Sequence, residues 1–124
     1  MKIADSELEI MRILWREARP LSYAEIRTEL EKATDWKKST IQTLLSRLKE
    51  KGAIDATQNY VTLYNANITQ DEYVKTEGRN FINKLFDGSA KSLVASLCQN
   101  GQLDERDIDE LKAFFRVNEG GENQ

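Results

Sequence analysis

The chain has 124 residues, a net charge of −3, one cysteine and no histidine. Neither an intrachain disulfide nor a Cys/His zinc cluster can be built from these residues, and we predict no metal and no cofactor. No apolar run approaches the roughly 20 residues of a membrane span, and Asp5, Glu7 and Glu9 stand where a signal peptide would be uncharged. We therefore expect a cytoplasmic protein without membrane contact.

The charge is distributed unevenly along the chain. Residues 1–66 carry 11 Lys/Arg and 10 Asp/Glu, whereas residues 67–124 carry 7 and 11. Within residues 35–51, five basic residues outnumber two acidic ones. Because salt confines charge effects to about 8–10 Å, this local positive stripe can act on a partner although the whole protein is acidic.

The first predicted helix begins near the N-terminus. Ser6 and Glu9 have the Ser-x-x-Glu spacing of a capping box, which satisfies free amides at a helix start. The helix is expected to run to about Glu17, and Pro20 stops it because proline lacks an amide donor.

A second helix follows at once. Ser22 and Glu25 repeat the capping-box spacing, and the helix is expected to run to about Lys32. Leu21, directly before it, is either a short strand or a residue that packs on the helix start.

The third predicted helix covers residues 38–51 and carries a complete apolar stripe. Four residues have the spacing i, i+3, i+4, i+7 of one helix face: Ile41, Leu44, Leu45 and Leu48. The opposite face is slim, polar and partly basic, which suits a DNA major groove. Gly52 suits the left-handed turn after a helix. We predict that DNA is contacted by Lys37, Lys38, Ser39, Thr40, Gln42, Thr43, Ser46 and Arg47.

From Ala53 the apolar period changes to that of β-strands. Residues 54–57 and 60–64 alternate in polarity, and Gln58-Asn59 between them is a turn signal. The pattern predicts a β-hairpin. Three helices followed by a hairpin form a winged helix-turn-helix.

Three further helices are predicted in the C-terminal part, over about residues 69–86, a short segment after 89, and residues 104–116. About 50 residues are too few for an independent core, so pairing with a second chain is expected to bury their apolar side chains. Such a two-fold dimer sets two reading helices about 34–36 Å, or a multiple of it, apart and matches a palindromic operator. The predicted dimerisation residues are Phe81, Leu85, Leu93, Leu97, Ile108, Leu111 and Phe115.

The fold class is therefore mainly α, with an N-terminal winged helix-turn-helix, a small β-hairpin wing and a C-terminal three-helix dimerisation region. The expected division is a DNA-binding domain at residues 1–67, a helical dimerisation domain at 68–117 and a disordered tail at 118–124. The tail is polar and rich in glycine.

Over residues 3–117 the chain resembles the BlaI/MecI/CopY family of winged-helix repressors, the penicillinase-repressor family. The resemblance rests mainly on Trp36-x-x-x-Thr-Ile-Gln-Thr-Leu-Leu-x-Arg-Leu-x-x-Lys-Gly52, supported by Glu7-Leu-Glu-Ile-Met-Arg-Ile-Leu-Trp15 and Phe86-Asp-Gly-Ser89. It implies a homodimeric transcriptional repressor whose N-terminal lobe grips operator DNA and whose C-terminal helices dimerise.

The chain departs from that family in four features. No Lys or Arg lies between Gly52 and Val74, whereas wings in the family usually carry basic residues. Lys37-Lys38 replaces the usual Ser-Pro pair. The resemblance implies a regulatory protease as a candidate partner, but Ser96-Leu97 stands where the β-lactam-responsive members have a cleaved Asn-Phe bond. The C-terminal Cys-x-Cys pairs of the copper-responsive members are also missing, so the inducing signal stays open.

The predicted contacts divide by chemistry. Gln42 can pair with adenine in bidentate fashion, and Arg47 can take guanine or a phosphate. Thr43 and Ser46 can contact bases or phosphates. The predicted phosphate anchors lie near the helix start, where free amides and the helix dipole favour anions: Lys37, Lys38 and Thr40.

Several other residues have a structural interpretation. Trp15 and Trp36 adjoin helix boundaries and are expected to pack in the core or between helices. Cys98 lies in an apolar helical run and is expected to be a small buried hydrophobe. Lys49 and Lys51 are either further DNA contacts or solvated side chains, and the sequence leaves both open.

An enzyme and a module for protein contacts are the two alternative functions. An enzyme is disfavoured because the chain has no histidine, no Gly-rich phosphate loop and no nucleophile with a recognisable base. The acidic run at residues 104–110 is expected to be a solvated helix face rather than a metal site. A winged helix that contacts only other proteins is the remaining alternative, and it predicts little salt dependence of DNA affinity.

Overall fold

The computed structural model of the protein describes the backbone of residues 1–122 and the side chains of residues 1–113. It confirms the mainly α fold with a small hairpin. The elements are α1 (Asp5–Glu17), β1 (Leu21–Ser22), α2 (Tyr23–Glu31), α3 (Lys38–Glu50), β2 (Ile54–Gln58), β3 (Thr62–Ala66), α4 (Gln70–Phe86), α5 (Ala90–Gln99) and α6 (Glu105–Glu122).

Helix α1 begins earlier than the sequence predicts. Its N-cap residue is Ala4, whose N–H donates to Glu7 Oε1 at 2.8 Å. Alanine has no side-chain acceptor, so only this half of a capping box forms. The predicted pair of Ser6 and Glu9 is wrong, and Glu9 instead accepts a surface hydrogen bond from Arg12.

The end of α1 and the start of α2 match the prediction. Ala18 closes α1 in the left-handed conformation, with φ of 54°, and donates to the Leu14 carbonyl. At α2, Glu25 N–H donates to Ser22 Oγ at 3.2 Å and Ser22 N–H donates to Glu25 Oε1 at 3.0 Å. The capping box predicted from the second Ser-x-x-Glu spacing is therefore confirmed.

The three strands form one antiparallel sheet in the order β1-β3-β2. Leu21 lies in β1, so the strand interpretation of that residue is confirmed. The hairpin loop is longer than the predicted turn, because Gln58 pairs with Thr62 and remains in the ladder. Residues 59–61 form the loop, which the Asn59 N–H closes by donating to the Val61 carbonyl at 3.1 Å.

One hydrophobic core joins α1, α2, α3 and the sheet. The stripe of α3 predicted from its spacing is buried in it, as expected, and Trp15 and Trp36 pack against its edge. The buried hydrophobic residues are Ile3, Ile10, Met11, Ile13, Leu14, Leu21, Ile26, Leu30, Ile41, Leu44, Leu45, Leu48, Ala53 and Ile54.

The chain divides into two compact units, residues 1–77 and 78–124. This boundary lies later than the one expected from the sequence after residue 67, because the first turns of α4 pack with the N-terminal unit. The rings of Tyr73 and Trp15 pack at a tilt of 37°, with centroids 5.9 Å apart, and the Tyr73 hydroxyl accepts from the Ile3 N–H at 3.2 Å. Trp15 Nε1 also donates to the Ile68 carbonyl at 2.9 Å.

The C-terminal unit contains the rest of α4, α5 and α6. Ser89 caps α5 by accepting from the Ser92 N–H at 3.1 Å. Asp104 and Asp107 cap α6 reciprocally, each accepting from the other's backbone N–H, so these carboxylates serve the helix start. Helix α6 continues to Glu122, beyond the predicted end at 116. The predicted tail overlaps this segment, and residues 123–124 lie outside the described part.

The described side chains of this second unit are all at least partly exposed. Cys98 is exposed as well, so the expectation that it is buried is wrong for the single chain. It lines an open pocket between α5 and α6 together with Leu103 and Ile108.

No helix among the described residues is long and apolar enough to cross a membrane. Likewise, no group of His, Cys, Asp or Glu side chains in the described part of the chain is arranged to hold a metal ion.

Candidate nucleic-acid interface

Helix α3 separates the core from a polar surface. Its apolar stripe is buried, and because the helical period sets each residue about 100° from the next, the remaining positions face outward. The structure brings together all eight residues that the sequence predicts to contact DNA, and each is exposed: Lys37, Lys38, Ser39, Thr40, Gln42, Thr43, Ser46 and Arg47.

The N-terminal end of α3 is suited to an anion. Lys37 is the N-cap residue, and no side chain within the described part of the chain caps the helix there. The first turn has no acidic residue, so the free backbone amides and the positive end of the helix dipole are opposed by no carboxylate of that turn. The ammonium groups of Lys37 and Lys38 add to the same positive field, as the phosphate-anchor prediction requires.

The hydroxyl of Thr43 already has a partner. Thr43 Oγ1 donates to the Ser39 carbonyl at 2.9 Å, one turn earlier in the helix. Its proton is therefore engaged, whereas the exposed side chain keeps its lone pairs and methyl group for other contacts. A base amino group or a thymine methyl group is thus a better match for Thr43 than an acceptor on a base.

The hairpin lies beside α3 and forms a groove with it. Strand residues alternate between two faces, and the cross-strand pairs Ala56–Tyr64 and Gln58–Thr62 put these four residues on the face toward α3. Together with the α3 residues Gln42, Leu45, Ser46 and Lys49, they line a groove of about 470 Å³.

The tip of the hairpin exposes an apolar pair. Tyr60 is fully exposed and Val61 is more than half exposed. The alternation of polarity predicts Tyr60 within a strand, but the loop covers residues 59–61, so Tyr60 lies at the tip instead. The sequence therefore missed three candidate contacts on the hairpin: Gln58, Tyr60 and Thr62. With the hairpin register known, the period of two along each strand would have assigned Gln58 and Thr62 to the face toward α3.

The carboxylates of α2 are paired with cations. Glu25 accepts hydrogen bonds from Arg19 and from the Ser22 N–H, which together lower its pKa to about 2. Glu29 is bridged by Lys32 and Arg16, and these hydrogen bonds and charges lower its pKa. Because their charge is compensated locally, these groups oppose the positive field of α3 less than free carboxylates would.

Lys49 and Lys51, which the sequence could not distinguish, have different surroundings. Lys51 Nζ donates to Glu7 Oε1 and, at 2.8 Å, to the Lys2 carbonyl. Glu7 is only 1% exposed. Burial raises the pKa of Glu7, but the hydrogen bonds from Lys51 and the Ala4 N–H outweigh it and hold the pKa below its usual value. Lys51 is thus committed to an internal ion pair, whereas Lys49 lines the groove.

The predicted dimerisation residues are only partly covered in the single chain. Leu85 is 59% exposed and Phe81 is 47% exposed, while Leu111 is also exposed. Leu93, Leu97 and Ile108 are partly buried. Phe115 lies outside the residues whose side chains are described.

Comparison with known proteins gives a family and relatives. The family described as penicillinase repressor matches residues 3–116. The penicillinase repressor of Bacillus licheniformis is 34% identical over 111 residues, which span 89% of this chain and 86% of that protein.

Two solved structures are also similar. The solution structure of the DNA-binding domain of the repressor BlaI matches with a TM-score of 0.52 and 37% identity, over 58% of this chain and 88% of that one. The solution structure of the Bacillus licheniformis BlaI monomeric form in complex with the blaP half-operator has a TM-score of 0.52 and 36% identity, over 59% of this chain and 89% of that one.

Proposed function

The chain belongs to the penicillinase repressor family, and from this premise we propose that it is a homodimeric repressor that binds a palindromic operator through α3. Members of this family are DNA-binding transcriptional regulators and not enzymes. The observation that carries the proposal is the surface of α3: all eight predicted contacts are exposed on it while its apolar stripe is buried.

The contacts divide along the helix. Lys37, Lys38 and Thr40 bind phosphates at the helix start, where the amides are free. Gln42 pairs with adenine, and Arg47 takes guanine or a phosphate. The relative whose structure was solved with a half-operator supports DNA as the partner. A reading helix flanked by phosphate anchors sets the register of the protein on the duplex before bases are read.

The C-terminal unit supplies the proposed dimer contact. Its described side chains include four exposed apolar ones: Phe81, Leu85, Val94 and Leu111. Burial of such apolar surface in a protein contact is favourable because it removes the surface from water. A second copy of the chain offers the same surface, so a two-fold contact would cover both at once. A repressor that binds DNA would work in the cytoplasm, which is the location that we propose.

A salt titration of DNA binding tests this function. A gel shift with a duplex carrying an inverted repeat from the gene's own promoter should show affinity falling steeply with salt, by a slope of about 0.9 per phosphate neutralised. Gln42→Ala and Arg47→Ala should each weaken operator binding by about 1–3 kcal/mol with an unchanged fold, because both side chains are exposed. Salt-independent binding, or no binding, would instead identify a module for protein contacts.

A further inference from the structure

We propose that the groove between α3 and the hairpin holds a phosphodiester of the DNA backbone, and that Lys49 supplies the cation that the hairpin lacks. The inference rests on the proposed function and specifies a contact with the DNA backbone beside α3. Nothing in the hairpin sequence provides a positive charge, since residues 53–73 contain no Lys or Arg.

The helical period gives Lys49 a defined position. Gln42, Ser46 and Lys49 follow at i, i+4 and i+7, so they form one stripe along α3, and all three line the groove. Ser39, Thr43 and Arg47 form the neighbouring stripe, which faces away from the hairpin. A DNA backbone in the groove would therefore run directly beside the bases that Gln42, at the start of this stripe, and the neighbouring stripe would read.

The hairpin wall of the groove offers neutral hydrogen-bond donors. Thr62 Oγ1 donates to Gln58 Oε1 at 2.8 Å. This bond occupies the carbonyl end of the Gln58 amide and leaves its NH₂ group to donate to a ligand. An amide NH₂ on one wall and an ammonium group on the other match the oxygens of a phosphodiester, which are acceptors and carry the negative charge.

The local charges favour an anion in this groove. Among the described residues Lys49 forms no ion pair, whereas Lys51, two positions on, is held by Glu7. Asp55 is the acidic residue of the hairpin, and the alternation along β2 sets it on the opposite face from Ala56 and Gln58. The face of the hairpin that lines the groove is thus neutral. Lys49 of α3 is the one cationic residue among those that line the groove.

The first test removes each lysine in turn. Affinity for the promoter duplex and for a random duplex of equal length is measured over a salt series for Lys49→Met and Lys51→Met. Lys49→Met should reduce the salt slope by about one per subunit and weaken both duplexes about equally, roughly tenfold, because a phosphate contact carries no sequence information. Lys51→Met should leave the salt slope unchanged when it is measured at a temperature at which this variant is folded.

The second test adds a carboxylate to each face of β2. Gln58→Glu introduces a negative charge in the groove and should weaken both duplexes at least tenfold by repelling the phosphate. Thr57→Glu adds the same charge to the neighbouring exposed residue on the other face and should cost much less.

The outcomes separate this inference from the proposed function. Wild-type-like affinity and slope for Lys49→Met, or equal losses for Gln58→Glu and Thr57→Glu, would overturn the groove assignment while wild-type binding stays salt-dependent. A wild-type protein without salt-dependent DNA binding would instead remove the proposed function itself.

Discussion

The two units of this chain use apolar residues in different ways. Residues 1–77 enclose fourteen hydrophobic side chains in a single core, whereas the described side chains of residues 78–113 are all at least partly exposed. The first unit therefore stabilises itself, and the second leaves apolar helix faces in contact with water. Similar amphipathic helices therefore enclose their apolar side chains in one region and leave the described ones at least partly exposed in the other.

The reason for the difference lies in what covers each stripe. In the N-terminal unit, α1, α2 and α3 turn their apolar stripes toward one another, and the hairpin closes the remaining side through Ile54 and Tyr64. The second unit has no sheet among its described residues, and its helices are joined by tight turns such as Asp87-Gly88, with φ of 48° and 81°. The described apolar side chains of this unit thus stay at least partly exposed.

Truncation of a core side chain should give the largest effect on stability. Leu48→Ala removes a fully buried side chain of α3 and should lower the free energy of unfolding by about 2–5 kcal/mol. Leu85→Ala makes the same chemical change at a 59% exposed site of the C-terminal unit. It should leave the free energy of unfolding of the N-terminal unit within about 0.5 kcal/mol of wild type.

The measurement can be confined to the N-terminal unit. Both tryptophans of the chain, Trp15 and Trp36, lie in it, so fluorescence-detected urea unfolding reports on that unit. Equal shifts of the midpoint for Leu48→Ala and Leu85→Ala would break the comparison between the two units.

A charge on the proposed dimer surface should have the next largest effect. Leu85→Asp should raise the dimer dissociation constant by about a hundredfold, roughly 3 kcal/mol, because a carboxylate would enter a dry contact twice per dimer. Asn83→Asp adds the same charge to an exposed polar site of α4 and should leave the dimer intact. Sedimentation equilibrium distinguishes the two, and a dimer unaffected by Leu85→Asp would place the association surface elsewhere.

The buried ion pair predicts a smaller and asymmetric effect. Lys51→Met leaves the Glu7 carboxylate buried without its partner and should cost roughly 2 kcal/mol, less than for a fully enclosed pair because Lys51 is 33% exposed. Glu7→Gln should cost less, since the freed ammonium group can turn to water. Thermal unfolding at neutral pH would contradict this assignment if Glu7→Gln proved the more harmful change.

The same pair gives a signed pH dependence. The folded-state pKa of Glu7 lies below its ordinary value of 4.5, so its contribution is complete above that pH and is lost as pH falls through the lowered pKa. Wild type should therefore lose stability faster than Glu7→Gln on acidification below about pH 4.5. Parallel curves for the two proteins would show that Glu7 adds no acid sensitivity.

Local patterns predicted most of the N-terminal unit. The stripe of Ile41, Leu44, Leu45 and Leu48 predicted both the helix and its buried face, because side-chain spacing and helical period are properties of the segment itself. The Ser22 capping box was confirmed for the same reason. The exposed residues of α3 could be predicted as well, because residues outside the apolar stripe had to face water.

Other features were wrong or missed because they depend on distant residues. The start of α1 moved from Ser6 to Ala4, where Glu7 meets a lysine 44 positions away. The hairpin register kept Gln58 in its strand and moved Tyr60 to the tip. Cys98 is exposed although it follows the apolar residues Leu93, Val94 and Leu97, because burial requires a covering element.

The sequence by itself determined the order of helices and strands, the core stripe of α3 and the polar residues opposite it, since each follows from the spacing of neighbours. Only the tertiary structure distinguished the surroundings of Lys49 from those of Lys51, although the two side chains are chemically identical and two residues apart. Folding brings Glu7 of α1 against Lys51 and the neutral face of the hairpin against Lys49. The physical reason is that the interactions of a charged side chain depend on the groups around it in the folded protein. The position of a residue along a helix predicts only the direction in which its side chain points.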